Sequence, residues 1–149
     1  MKMIRPATPA DFARLAEIEI FNYRLNFYPI FKSDDFYFSE LNVPDAVAQY
    51  KGDPDAPGEV FVYDDGVVKG FIRVSGCEIK KLFVEPVLQG QGIGATLLEF
   101  AVTALHANTL WALEKNHRAI AFYKRHGFSL TSERKPEEDT TEHLVRLTR

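Results

Sequence analysis

The 149-residue chain contains one cysteine, Cys77. No internal disulfide can form, and a reducing compartment is the simplest setting. No apolar run is long enough to span a bilayer. The segment MKMIRPATPADF lacks the apolar stretch of a secretory signal. A cytoplasmic protein that does not engage a membrane is therefore expected. Basic residues are not in excess: 18 Lys and Arg stand against 21 Asp and Glu, for a formal net charge of −3. Spread along the chain, they form no basic stripe of the kind that marks a nucleic-acid binder. His106, His117, His126 and His143 show no metal-ligand spacing, and no metal is expected. Repeats and low-complexity tracts are absent too. What remains has the apolar content of an ordinary folded protein, at a length that suits one domain over residues 1–149.

Hydrophobic periodicity divides the chain. MKMIR reads as a short first strand. Thr8, Pro9 and Asp11 form a helix start, with a capping hydroxyl, a proline in the first turn and a carboxylate placed to reach back. Phe12, Leu15, Ile18, Phe21 and Leu25 recur at helical spacing and predict a buried face. Pro29 should interrupt that helix. A second short helix is expected after Asn42, with Pro44 and Asp45 in its first turn, followed by KGDPDAPG as a loop. The period then changes to two. EVFVYDDGVVKGFIRVSGCEIKKLFVEP predicts three antiparallel strands joined by turns at Asp65-Gly66 and Ser75-Gly76. A helix is predicted from Gly94 to His106, a buried strand at TLWAL, and a helix over NHRAIAFYKRHGF closed by Gly127. SLTSE and HLVRLTR give two last strands around the charged loop KPEEDTTE.

The segment QGQGIGATLL carries the strongest functional signal. A helix begins with backbone N–H groups that lack internal partners and carry the positive end of its dipole. Gly90, Gly92 and Gly94 allow a tight turn there and leave the amides uncovered, as a diphosphate cradle requires. A flexible loop that merely precedes a helix is the plainer alternative. A P-loop is excluded, because no Gly-Lys-Ser/Thr follows the glycines. Gly90, Gly92 and Ala95 meet the loose dinucleotide fingerprint. That fingerprint should follow its strand at once within a strand–helix–strand unit, whereas EPVL intervenes here and the preceding strands are hairpin-linked.

LFVEPVLQGQGIGATLL resembles motif A of the GCN5-related N-acetyltransferase (GNAT) superfamily. Gln89, Gly92 and Gly94 match Gln/Arg-x-x-Gly-x-Gly/Ala, with Val84 and Pro86 upstream. NHRAIAFYKRHGF is similar to motif B, through Asn116, Ala119, Phe122, Tyr123, Gly127 and Phe128. The match covers roughly Glu78 to Phe128. The resemblance implies an α/β (α+β) acyl-CoA N-acyltransferase fold, with a mixed central sheet of about seven strands and flanking helices. It also implies an N-acetyltransferase that moves acetyl from acetyl-CoA, a cosubstrate, to a primary amine of a small molecule or peptide by direct attack. In the family, the motif A strand and the strand after its helix run parallel and splay apart around pantetheine. This assigns cofactor contacts to Leu82, Phe83 and Val84, to the turn Gln89, Gly90, Gln91, Gly92, Ile93, Gly94 and Ala95, and to Asn116, Ala119 and Tyr123. A homodimer is a further expectation, since dimers are common in the family.

The chemistry sets three demands. The amine must lose a proton, the carbonyl oxygen must be stabilised as charge grows on it, and the departing thiolate needs a proton. By resemblance Tyr123 is the acid; by helix position alone it reads as a core tyrosine. The amide of Leu82 or Phe83 is the oxyanion donor that the family suggests. Glu78 lies eleven positions before Gln89, the offset of the catalytic glutamate in the histone-acetylating branch. Without a bulge it shares a strand face with Lys80, Leu82 and Val84. A strand-start glutamate paired with a surface lysine is the alternative. Cys77 reads as a small apolar residue rather than a nucleophile.

The aromatic run Tyr23, Phe27, Tyr28, Phe31, Phe36, Tyr37 and Phe38 falls on the family's acceptor side. It forms either an acceptor pocket, with Tyr28 and Tyr37 as polar handles, or core and dimer contact. Trp111 is expected in the core. Glu137, Glu138 and Asp139 are either a solvated loop or an attraction for a cationic acceptor. A non-catalytic acyl-CoA-binding or sensor module is the rival function.

Overall fold

The computed structural model describes residues 3–149; Met1 and Lys2 of the expected first strand lie outside the described residues. The strands are β1 Ile4–Pro6, β2 Val60–Asp64, β3 Val68–Ser75, β4 Glu78–Val84, β5 Thr109–Leu113, β6 Ser129–Pro136 and β7 His143–Thr148. They form one mixed sheet in the order β1-β2-β3-β4-β5-β7-β6. The helices are α1 Phe12–Asn26, α2 Tyr28–Phe31, α3 Val43–Gly52, α4 Ala56–Glu59, α5 Ile93–Ala104 and α6 His117–Arg125.

Alternation along the strands feeds two cores, one on each face. Val60, Val62 and Phe71 pack with Phe12, Leu15, Ile18 and Tyr50. Ile72, Val74, Ile79 and Val84 pack with Ile93, Leu97, Leu98, Leu110 and Tyr123. The central strands are thus covered by α1 and α3 on one side and by α5 and α6 on the other. Leu97 and Leu98 are at most 1% exposed, and each contributes about 1.5–3 kcal/mol through its removal from water.

Local signals explain the helix ends. Thr8 N–H donates to Asp11 Oδ2 at 2.8 Å, and the chain takes one 3-10 turn over Pro9–Asp11 before α1. Asn42 caps α3 by accepting from Asp45 N–H at 3.0 Å. At the end of α6, Phe128 N–H reaches back to Tyr123 O at 3.0 Å while Gly127 takes φ 90°, a left-handed stop that a glycine adopts without strain.

Several expectations need correction. Phe21 and Leu25 are 39% and 48% exposed rather than buried. The buried arc of α1 also includes Ala16, Glu19, Ile20 and Asn22, and at about 100° per residue Phe21 lies opposite Phe12. KGDPDAPG is not simply a loop: α3 runs to Gly52 and α4 occupies Ala56–Glu59. α5 stops at Ala104, before His106, which takes φ 59°. Phe36–Glu40 forms one π-helical turn that no periodicity announces. Trp111 lies outside both cores, on a wall of the cleft described below, with Lys135 Nζ 4.2 Å above its ring. α1 packs on β3 and β4, and the β5 face that carries Trp111 extends beyond that cover.

Candidate active site

β4 and β5 run parallel, and their pairing is confined to Glu78–Thr109 and Ile79–Leu110. Beyond these residues the strands part. The cause is local to β4. β3 pairs Arg73 with Lys81 but Val74 with Ile79, which leaves Lys80 as an extra residue. A bulge bends its strand and increases the twist, and it falls where contact with β5 ends.

The bulge also reverses the face on which Glu78 lies. Leu82 and Val84 pair with Ile72 and Gly70 on the α5 side, whereas Glu78 pairs with Ser75, in line with Arg73–Lys81 and Phe71–Phe83 on the opposite side. The expectation that Glu78 shares a face with Leu82 and Val84 therefore fails. Glu78 lines the cleft, with Lys80 Nζ 3.2 Å from its carboxylate.

Backbone groups of β4 divide by alternation. Glu85 N–H donates to Lys69 O at 2.9 Å. Phe71–Phe83 is thus the next hydrogen-bonded pair, and the peptide groups of Leu82 and Val84 turn toward the parted side. This corrects the assignment of Phe83: its backbone belongs to the β3 ladder, and it meets the cleft through its ring. The Val84 carbonyl is also engaged, accepting from Asn22 Nδ2 at 2.8 Å and from Gln89 Nε2 at 3.3 Å.

The glycine turn follows. Gly90 and Gly92 take φ 86° and 84°, and a Cβ at either would meet nothing within 4 Å. Backbone conformation, not crowding by the protein, demands glycine at both. The first α5 bond runs from Thr96 N–H to Gly92 O at 3.0 Å. The N–H groups of Ile93, Gly94 and Ala95 therefore have no helical partner. Gln89 is turned inward, with its Nε2 donating to Asn22 Oδ1 at 3.1 Å. Asn22, 2% exposed, also donates to Ile18 O at 2.9 Å. It ties α1, the end of β4 and the glycine turn together. Sequence reasoning missed Asn22; the available signal was an amide side chain on an otherwise apolar helix face.

α6 completes the opening. Asn116 caps it, its Oδ1 accepting from Ala119 N–H at 3.3 Å. His126 Nδ1 lies 2.8 Å from Phe122 O, a bond that requires the proton on Nδ1 and suits a helix C-terminus. The Tyr123 ring packs against Phe122 and Phe128 in the core, and burial pushes its phenol well above the ordinary tyrosine value. Among the described residues its hydroxyl has no hydrogen-bond partner, and no buried side-chain oxygen is left orphaned, so the hydroxyl opens to the cleft. The ring belongs to the core and the hydroxyl to the cleft.

Two cavities meet at this point. One, of about 400 Å³, runs along the glycine turn and includes Arg118, Arg125 and His126 but no carboxylate. The other, of about 1120 Å³, lies among Tyr23, Phe31, Tyr37, Trp111 and the loop from Glu137 to Glu142. Leu82, Phe83, Asn116, Ala119 and Tyr123 line both. Tyr37 faces the larger cavity, whereas the Tyr28 hydroxyl binds Asp34 at the surface. Beside β4, the buried Glu19 contacts Lys81 and accepts from the Tyr50 hydroxyl at 3.3 Å. Burial and the Glu19 charge raise the Tyr23 phenol.

An open sheet with a parted parallel pair, a glycine turn opening a helix at one strand's end and a tyrosine helix at the other is the architecture of acyl-CoA-dependent acyltransferases. The family described as "Acetyltransferase (GNAT) domain" matches residues 56–130, and the chain belongs to it. Peptidyl-lysine N-acetyltransferase YjaB of Salmonella typhimurium is 40% identical over 78 residues, which are 52% of this chain and 54% of that protein. The match thus spans about half the length of that curated relative. The solution structure of apo-form YjaB from Escherichia coli superposes with a TM-score of 0.74 at 25% identity, covering 97% of this chain and 95% of that one. The PaiA N-acetyltransferase of Thermoplasma acidophilum, solved with coenzyme A, shares the fold at 18% identity, with a TM-score of 0.65 and 98% of each chain covered. No helix among the described residues is long and apolar enough to cross a membrane.

Proposed function

We propose that the protein transfers acetyl from acetyl-CoA to the side-chain amine of a lysine within a peptide. The observation that carries this reading is the parting of β4 and β5 after Ile79 and Leu110, with the unpartnered Tyr123 hydroxyl at the opening. The smaller cavity fits CoA. Its lining has cationic residues and no carboxylate, its uncovered amides suit a diphosphate, and open space surrounds Gly90 and Gly92. Gly90 to Ala95 would hold the diphosphate, and the Leu82 and Val84 N–H groups would meet the pantetheine arm beside Asn116 and Ala119. The larger cavity fits a lysine, whose methylene stem suits its aromatic walls.

Bound acetyl-CoA supplies a thioester. The lysine nitrogen attacks its carbonyl carbon; the new C–N bond replaces the C–S bond, with no covalent enzyme intermediate. The Leu82 N–H faces the gap and is the donor for the developing oxyanion, since the Phe83 N–H is committed to the ladder. Tyr123 delivers its proton to the leaving sulfur and regains one from solvent. Burial keeps the phenol protonated, so it is available as the donor to the leaving sulfur. Glu78, on the wall of the acceptor cavity, takes the proton from the amine. The YjaB name supports the choice of peptidyl lysine.

Thiol release from acetyl-CoA in the presence of lysine peptides tests this directly. Release with wild type, and loss in Tyr123→Phe with CoA binding intact, is the expected result. CoA binding without release from any amine would leave the non-catalytic binding module as the function.

A further inference from the structure

The acidic loop between β6 and β7 is part of the larger cavity's wall. Its charge there is unbalanced. The lysines on the same wall are engaged: Lys80 with Glu78, Lys81 with Glu19, and Lys135 over Trp111. Glu142 is paired with Lys115 at 3.0 Å. Glu137, Glu138 and Asp139 have no cationic partner among the described residues. The opposite wall offers a second, independent sign of a ligand. Tyr37 is 4% exposed, lines the same cavity, and its hydroxyl has no hydrogen-bond partner among the described residues. Burial and the Glu137 charge raise its phenol, and Tyr37 lines the same cavity as Glu137, Glu138 and Asp139.

The reacting amine is not a sensible target for these carboxylates. They would favour its protonated, unreactive form. They are also absent from the lining where the two cavities meet. Resting on the lysine-acceptor reading above, we propose that Glu137, Glu138 and Asp139 recognise a second positive charge on the acceptor. The preferred substrate is a peptide in which a Lys or Arg stands near the lysine to be acetylated, with the Tyr37 hydroxyl donating to a backbone carbonyl of that peptide.

The test uses peptides that differ only beside the target lysine: basic, neutral or acidic. Initial rates of thiol release give kcat and KM for wild type and for Glu137→Gln/Glu138→Gln/Asp139→Asn. Wild type should favour the basic peptide over the neutral one by about ten-fold in kcat/KM, through KM, and added salt should shrink the preference. The triple variant should lose the preference while it acetylates the neutral peptide at the wild-type rate, which also shows that it folds. Equal use of basic and neutral peptides by wild type, or an unchanged preference in the variant, overturns the proposal but leaves the lysine reading intact. No thiol release with any peptide overturns both.

Discussion

Gly92 and Gly94 sit two residues apart in one turn, and the structure gives them different reasons to be glycine. Gly92 takes φ 84°, and a Cβ there would have nothing within 4 Å. A Cβ at Gly94 would meet Phe122 Cζ and Val84 Cγ2 at 3.6 Å, with no positive φ to sustain. In Gly92→Ala the cost is therefore conformational, about 1–2 kcal/mol for an L-residue held left-handed. The turn can keep its geometry and carry the strain, or flip and misdirect the amides of Ile93 to Ala95. Loss of folding stability and loss of CoA affinity should then add up to that same 1–2 kcal/mol, or roughly 5- to 30-fold in Kd if all of it falls on binding. Gly92→Asn, which tolerates this conformation better, should recover part of the loss. Gly94→Ala makes ordinary contacts inside a helix, so it should gain about 0.5–1 kcal/mol of stability and still bind CoA. Urea unfolding and calorimetric titration with CoA measure both quantities on each variant. Full stability and affinity in Gly92→Ala, or abolished binding in Gly94→Ala, would refute the assignment of backbone conformation at one site and simple packing at the other.

Three further outcomes are expected. Tyr123→Phe keeps the buried ring and removes a hydroxyl that has no hydrogen-bond partner among the described residues, so unfolding free energy should change little while kcat falls by about 10²–10⁴-fold. Asn22→Leu keeps the volume but strips hydrogen bonds from Val84 O and Gln89; a loss of about 1–3 kcal/mol in urea unfolding, with weaker CoA binding, should follow. Asp11 accepts from Arg5 at 2.8 and 2.9 Å and from Thr8 N–H, and these bonds hold its carboxyl below the usual range. The stability it contributes is complete above the unfolded carboxyl pKa of about 3.9 and is lost as pH falls through the lower folded value. Asp11→Asn should be less stable at neutral pH and show a shallower acid decline, read from unfolding curves across pH.

The sequence made the architecture legible wherever one element dictated its own pattern. The period-two stretch from Val60 to Val84, the Gly127 stop and the helix that follows Asn42 rest on local chemistry and stand close to where they were expected. Less legible was whatever depended on a neighbouring element. Phe21 and Leu25 have the right spacing for a buried face, but α3 and the sheet cover a different arc of α1. The bulge at Lys80 appears in no composition, yet it parts β4 from β5 and moves Glu78 to the other side of the sheet. Trp111 looks like core until the limit of the α1 cover is known. For the site itself, motif spacing brought Tyr123, Asn116 and the glycine turn together in advance. Asn22 and Tyr37 stand far along the chain from the motif residues; folding brings Asn22 to Gln89 and puts Tyr37 on the cavity that Tyr123 also lines.

The central claim is that the backbone from Gly90 to Ala95 holds the CoA diphosphate while the acceptor enters from the side of Glu137 to Asp139. Amide chemical shifts of uniformly ¹⁵N-labelled protein, followed as CoA is titrated in, test it most directly. The largest changes should fall on Gly90 to Ala95 and on Leu82 and Val84, with the loop from Glu137 to Glu142 nearly still. Silent glycine-turn amides together with large shifts in that loop would contradict the account.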